Sequence, residues 1–186
     1  MRLSTLIAAT TTLTAAAAGT ARADHLTVGA ALGETETTSD ANSGNSASGT
    51  FGLYGRMRVA PRISVQLDLN KVDAPVDGAG IAIRQTTALA IIDLTGGRLV
   101  PFLLGGVGLD WTSTPAGDAL YHHFELGAGL EYRFAGGFTL GIDGRLATRS
   151  LDTGPAPEDY QPRFAPTGGL AEGEYRSVRF TAGFGF

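Results

Sequence analysis

The side chains of this sequence that best suit proton-transfer chemistry are the adjacent histidines His122 and His123, which are followed by Glu125. A histidine beside a carboxylate could act as a general base toward a bound substrate. Successive side chains of a strand point to opposite faces, however, so the two imidazoles cannot serve one reacting atom. The nearby serines, Ser113 and Ser150, are predicted in a loop and at a strand end. We therefore expect His123 to be a polar rim residue and the protein not to be an enzyme.

Metal and cofactor sites are not indicated by the sequence. It contains no cysteine and three histidines, too few for a structural zinc site. The segment Asp73–Gly78 has spaced carboxylates but lacks the remaining ligands of a calcium loop. The glycine run Gly105–Gly108 lies within a predicted strand and opens no helix, so it is not a nucleotide-binding loop. We expect no metal and no cofactor, and the net charge of −4 argues against a nucleic-acid partner.

The first residues have the pattern of a secretory signal peptide. Arg2 is followed by an uncharged stretch from Leu3 to Ala21, which closes on Ala21-Arg22-Ala23. A positive start, an apolar stretch and a small-x-small cleavage site are typical of exported proteins. Residues 1–23 are therefore predicted to be removed, leaving 24–186 as one domain. With no cysteine, this domain has no disulfides and no lipid-modified residue.

Alternating apolar and polar residues define the rest of the chain, in segments of about ten residues separated by turn-forming residues. The predicted strands are His25–Glu34, Thr50–Ala60, Arg62–Lys71, Ile81–Leu94, Leu99–Trp111, Leu120–Phe134, Phe138–Ser150 and Glu174–Phe186. This pattern predicts an all-β protein, an eight-stranded antiparallel up-and-down transmembrane β-barrel.

The fourth segment has an ambiguous face. Its odd positions give an apolar set of Ile81, Ile83, Leu89 and Ile91. Gln85 interrupts that set, and the even positions also contain Ile92, so a bulge is one alternative. If the odd residues form the apolar face, Arg84 lies on the polar face.

The connections between the segments alternate in length. Short turns are predicted at Pro61, Thr95–Arg98 and Ala135–Gly137. The longer connections are predicted at Thr35–Gly49, Val72–Gly80, Thr112–Ala119 and Leu151–Gly173. An even strand number places both termini and all short turns at one end. This arrangement is typical of outer-membrane barrels, which have short periplasmic turns and longer external loops.

The polar face is predicted to point inward because it combines glycines with charges of both signs. If Phe134 pairs with Phe138, Glu125 lies opposite Ala147 and diagonal to Arg145 and Arg149. Arg56 similarly falls opposite Gln66 and diagonal to Asp68. An arginine at the bilayer midplane would cost about 2–4 kcal/mol, which disfavours exposure to lipid. The predicted interior charge network is Arg56, Arg58, Asp68, Glu125, Glu131, Arg133, Asp143, Arg145, Arg149 and Arg179.

Aromatic residues are predicted to form two belts at the membrane interfaces. The short-turn end would carry Tyr132, Phe134, Phe138, Phe184 and Phe186, and the long-loop end Phe51, Trp111 and Phe124.

The chain resembles the small outer-membrane β-barrel families, among them the OmpA transmembrane domain, OmpX and OmpW. The segments that carry the resemblance are Pro101–Leu109, Phe124–Phe134 and Arg179–Phe186. We expect no peptidoglycan-binding domain after the barrel, in contrast to full-length OmpA. The resemblance implies that Phe180, Phe184 and the terminal Phe186 form a signal for the barrel-assembly machinery. It also implies a monomer in the cell outer membrane, in contact with its lipid.

Three functions remain open on this basis. The first is a structural or surface-interaction protein, which presents Thr35–Gly49 and Leu151–Gly173 outside the cell. The second is an OmpW-like conduit for small hydrophobic solutes, which would need an apolar lumen pocket of Val100, Phe102, Leu104 and Tyr121. The third is a soluble periplasmic lipocalin-like binder, which would have its apolar face inside.

Overall fold

The structure, a computed structural model, describes residues 26–39, 42–76, 79–114, 117–151 and 173–186. It contains the strands β1 (Leu26–Ser39), β2 (Asn42–Ala60), β3 (Ile63–Val76), β4 (Ala79–Asp93), β5 (Leu99–Thr114), β6 (Gly117–Arg133), β7 (Phe138–Leu151) and β8 (Gly173–Gly185). The predicted signal peptide, residues 1–23, lies outside the described residues. Within the described ranges, no helix has the length and hydrophobicity needed to cross a membrane.

The eight strands form one closed barrel, in which each strand pairs with the next and β8 pairs with β1. All of these pairings are antiparallel. Closure removes the two free edges that an open sheet of eight strands would have. The predicted eight-stranded antiparallel barrel is therefore confirmed.

The short turns leave little room between strands and set the register. In the turn between β6 and β7, Gly136 and Gly137 have φ angles of 96° and 88°, a conformation that favours glycine. Phe134 donates a backbone hydrogen bond to Phe138 at 2.8 Å. The ladder that follows pairs Glu125 with Ala147, which is the pairing that this turn length predicts.

The strands extend further than the sequence pattern predicted. The predicted loop Thr35–Gly49 is wrong, because β1 continues to Ser39 and β2 begins at Asn42. The loops predicted at Val72–Gly80 and Thr112–Ala119 are also largely strand, as β3, β4, β5 and β6 continue into them. These segments are rich in Ser, Thr, Asp and Gly and lack the apolar alternation that marks a strand. Their backbone groups nevertheless pair, so the strands continue through them. Of the predicted loop Leu151–Gly173, residues 152–172 lie outside the described residues.

The fourth strand faces opposite to the odd-numbered assignment. The ladder with β3 is continuous and pairs Asn70 with Gln85 and Ile63 with Ile92. Ile83 and Ile91 are therefore inside, each 1% exposed. Arg84 lies on the exposed face, so its prediction as a lumen residue is wrong. Alternation shows that a segment is a strand but does not show which face is buried. In β4 the inward-facing residues are also apolar, so they gave the same pattern as a lipid-facing set.

The two faces of the barrel have opposite chemistry. Glu125, Arg145 and Arg179 are 3%, 4% and 2% exposed. The residues that follow them, Leu126, Leu146 and Phe180, are 54%, 62% and 64% exposed. Most of the large apolar side chains thus point outward and most of the ionic ones on the barrel strands point inward, which is the reverse of a water-soluble barrel.

Candidate functional site

The centre of the lumen is occupied by two arginines and three carboxylates. Arg145 contacts Asp143, Asp68 and Glu125, with N–O distances of 2.8, 2.9 and 2.5 Å. Arg179 contacts Asp68 and Asp143, each at 3.0 Å. All five side chains are at most 4% exposed. Because a buried charge is costly without a partner, each of these groups depends on the others to compensate its charge.

Some of these contacts cross the lumen between strands that are not neighbours. Asp68 lies on β3, whereas its partners Arg145 and Arg179 lie on β7 and β8. Arg56 on β2 similarly reaches Glu131 on β6, at 2.6 Å. An eight-stranded barrel has an interior only wide enough for side chains to fill. These cross-lumen ion pairs therefore close the centre of the barrel.

A second cluster lies at the short-turn end. Arg133 contacts Glu131 and Asp93, each at 2.8 Å, and Arg58 lies 3.9 Å from Asp93. A cavity of about 180 Å³ at this end is lined by Arg56, Arg58 and Arg133, among others. Asp93 was not predicted as an interior residue, because the odd-numbered positions of β4 were assigned to the outer face.

Arg56 and Asp68 do not pair as their diagonal placement suggested. The Arg56 Nε atom donates to Gln66 at 2.7 Å, and Gln66 in turn donates to Asp68 at 2.6 Å. Gln66 thus stands between them. Asp68 is satisfied instead by Arg145 and Arg179.

A third cluster, toward the long-connection end, links a carboxylate, an imidazole and a hydroxyl. His123 Nδ1 lies 2.7 Å from Asp110 Oδ1, and His123 Nε2 lies 3.0 Å from Thr87 Oγ1. Arg149 donates to the second oxygen of Asp110 at 2.7 Å. In such an order of acid, imidazole and hydroxyl, the carboxylate can orient the imidazole, which can take a proton from the hydroxyl. Here it is enclosed, since Thr87, Asp110 and His123 are at most 4% exposed.

Gly108 makes this cluster possible. It is the cross-strand partner of both Thr87 and His123, so the imidazole passes over it to reach the hydroxyl. A Cβ atom at position 108 would meet the His123 Nε2 atom and the carbonyl oxygen of Thr86. Only a residue without a side chain leaves this space open.

We expect Gly108→Ala to destabilise the barrel by about 1–3 kcal/mol, the usual cost of overpacking a filled interior. The measurement is the urea midpoint of unfolding for the barrel refolded into lipid vesicles. Gly144→Ala is the matched control, because a Cβ there would meet nothing within 4 Å. Equal midpoints for the two variants would contradict the packing described for Gly108.

The residues predicted to line an apolar pocket are buried, but they pack against other side chains. Phe102 and Leu104 form one cluster with Leu89 and Ile91. A Cβ at Gly129 would meet the Phe102 ring, and one at Gly127 would come within 3.0 Å of Leu104. Val100 is fully buried on the same strand, β5. Tyr121 lies elsewhere, with the Arg149 guanidinium 5.8 Å from its ring centroid.

The predicted assembly signal and one aromatic belt lie on the outer face. Phe180, Phe184 and Phe186 are 64%, 51% and 50% exposed. Near the turn between β6 and β7, the Phe134 ring is 4.6 Å from Tyr132 and 5.5 Å from Phe138. Phe51, Trp111 and Phe124 are also exposed. Trp111 lies in the long-connection half of β5, but Phe51 is the middle residue of β2 and Phe124 is next to the middle of β6. Among the side chains that the structure describes, no cluster of His, Asp and Glu is arranged to hold a metal ion.

Several solved structures share this fold. Neisserial surface protein A matches with a TM-score of 0.67 at 12% identity, over 87% of this chain and 97% of that chain. The N-terminal β-barrel domain of Pseudomonas aeruginosa OprF matches with a TM-score of 0.56 at 16% identity, over 89% and 100%. The outer membrane enzyme PagL matches with a TM-score of 0.51 at 18% identity, over 86% and 99%. No family model and no curated protein matches the sequence. The chain therefore has the fold of the small outer-membrane barrels.

The expectation that the protein is not an enzyme is corrected by these comparisons. PagL, an outer membrane enzyme, has the same fold, so this architecture gives no ground for excluding catalysis. The sequence placed the nearby serines away from His123, but the structure places the Thr87 hydroxyl within hydrogen-bond distance of the His123 Nε2 atom. Thr87 was missed because the odd positions of β4 were assigned to the outside. Gln85, a polar residue two positions earlier, was the signal that could have found it.

Proposed function

We propose that this protein is an integral outer-membrane barrel with a closed lumen, which serves as an anchor for surface interactions at its long-connection end. The membrane location is supported by the outward apolar face and by the shared fold. A soluble periplasmic binder would require apolar side chains inside and ionic ones in water, the opposite of this distribution. A signal peptide at residues 1–23 fits the same location.

The observation that carries the closed lumen is the set of ion pairs across it. Arg145 and Arg179 join β7 and β8 to Asp68 on β3, and Arg56 joins β2 to Glu131 on β6. An ion moving through the barrel would have to separate these buried pairs. Separating charges that are buried and paired is unfavourable, which opposes the passage of an ion.

The surface role is supported by the end of the barrel opposite the short turns. There β1 continues to Ser39 and β2 begins at Asn42, so both strands extend beyond their apolar stretches. Segment 152–172 joins β7 to β8 at the same end. One protein with this fold is described as a surface protein. We propose that this end contacts molecules outside the cell, that the barrel acts as a monomer, and that Phe180, Phe184 and Phe186 direct its assembly.

We expect the purified barrel to show no steady, large conductance in planar lipid bilayers, because the ion pairs block the lumen. The control is the same preparation after heat denaturation, with a heat-dependent gel shift to verify that the tested sample is folded. A steady, large conductance from the folded protein would contradict the closed lumen and favour a transport role.

The conduit for hydrophobic solutes remains the alternative, supported by the buried cluster of Leu89, Ile91, Phe102 and Leu104. It requires these side chains to part around a solute. Solvent extraction of the purified barrel, followed by mass spectrometry, tests it. A bound apolar molecule that is lost on Phe102→Ala substitution would favour the conduit over the anchor.

A further inference from the structure

The outer face of the barrel has a groove near the edge of its apolar surface that faces the long-connection end. Its volume is about 580 Å³, and it runs across β3 to β7. Its apolar part includes Ala88, Val107 and Leu109, and its polar part includes Thr86, His122 and Ser150. All of these are exposed. Hydroxyl and imidazole groups on an otherwise apolar outer face mark the level at which lipid tails give way to headgroups.

Two cations lie beyond one end of this groove, on β3 and β4. Lys71 and Arg84 are cross-strand partners on the outer face, and Arg84 is two residues from Thr86 on β4. Like charges directly opposite each other destabilise a sheet unless an anion lies between them. Lys71 also contacts Asp73 at 2.8 Å, a pair that is largely exposed and thus weak. Arg84 has no ion pair with any side chain that the structure describes.

We propose that this groove binds one outer-leaflet glycolipid that carries a phosphomonoester. The acyl chain would lie over Ala88 and Val107, and the phosphate would lie at Arg84 and Lys71. A phosphomonoester carries about −1.5 to −2 charge at pH 7, which suits two adjacent cations better than the single charge of a phospholipid diester. Thr86, His122 and Ser150 supply the hydrogen-bonding groups that sugar hydroxyls and amides need.

This inference rests on the proposed membrane location, and it adds the ligand class and the residues. The charge pattern carries it. Outward-facing Arg84 was predicted inside the lumen, and the register of β3 and β4 places it instead beside Lys71. Guanidinium groups bind phosphate through paired hydrogen bonds, which are stronger than neutral ones.

The test measures the binding of diphosphoryl lipid A to the full-length folded barrel in detergent, by native mass spectrometry and fluorescence titration. Arg84→Ala should weaken binding about tenfold, the loss expected for one charge-assisted phosphate contact. Arg84→Lys should lose less. Arg62→Ala is the charge control, because Arg62 is an exposed arginine in the short turn between β2 and β3, at the opposite end of the barrel from the groove.

A second pair of variants tests the apolar part independently. Ala88→Phe should fill the groove and weaken lipid A binding several-fold, while Ala90→Phe should not. Both alanines are exposed on the outer face of β4, but only Ala88 lines the groove. Each variant is checked by its heat-dependent gel shift, so that a folding defect is not taken for a binding defect.

The outcomes separate this inference from the proposed function. Equal binding by the Arg84 and Arg62 variants, or equal binding of phosphatidylglycerol and lipid A, overturns the glycolipid site and leaves the membrane barrel intact. Recovery of the native protein in the soluble fraction without detergent overturns the proposed function itself. Selective, Arg84-dependent lipid A binding supports both.

Discussion

Arg145→Ala should produce the largest loss of stability of any single substitution in the lumen. Its side chain contacts three carboxylates, Asp68, Glu125 and Asp143. Removing it leaves Arg179 to compensate Asp68 and Asp143, and leaves Glu125 without a salt bridge to any side chain that the structure describes. Breaking a buried ion pair in this way costs about 3–5 kcal/mol. We expect a loss of that order in the free energy of unfolding.

The measurement is equilibrium urea unfolding in lipid vesicles, followed by the fluorescence of Trp111, the single tryptophan of the chain. Arg176→Ala is the control, because it removes an exposed arginine of the outer face. The double variant Arg145→Ala with Glu125→Gln should recover part of the loss, since it removes one uncompensated carboxylate. A loss below about 1 kcal/mol, the level of an exposed pair, would contradict the buried network.

Ile142→Arg is expected to be the most damaging substitution on the outer face. Ile142 lies near the middle of β7, and its cross-strand partners are Leu130 and Phe180. All three are exposed, by 40%, 39% and 64%, on the surface that we propose meets lipid. An arginine at the bilayer midplane costs about 2–4 kcal/mol, because no water or anion is within reach to solvate it.

Ser150→Arg is the matched control for this substitution. Ser150 is on the same strand and the same face, but eight residues closer to the long-connection end, where the cost of an arginine falls to about 0–1 kcal/mol. The two variants should therefore differ by about 2 kcal/mol or more in unfolding free energy in vesicles. Equal stabilities would contradict the proposed position of the membrane on the barrel.

Some contacts between charged residues of the lumen could be predicted from the lengths of the short turns. The turn between β6 and β7 contains few residues, so its length set the register and correctly placed Glu125 opposite Ala147 and near Arg145. The same argument placed Arg56 opposite Gln66. It could not find the pairs between distant strands, such as Arg179 with Asp68. These depend on the closure of the barrel, which brings residues about a hundred positions apart to the same level.

The strand pattern of this protein was readable from the chain because alternation is a local property. Each strand that has one face in an apolar medium must alternate, and turn-forming residues must separate the strands. The eight-strand architecture and the inward charges followed from that.

Which face of β4 points inward depended on its neighbours. Its ladder with β3 places Gln85 and Thr87 inside and Arg84 outside. Since both faces of β4 contain apolar residues, no local pattern could choose between them. A one-residue change of register exchanges every side chain between lumen and lipid. The orientation of β4 therefore decides three features: the contact of Thr87 with His123, the apolar cluster of Leu89 and Ile91 with β5, and the position of Arg84 beside Lys71.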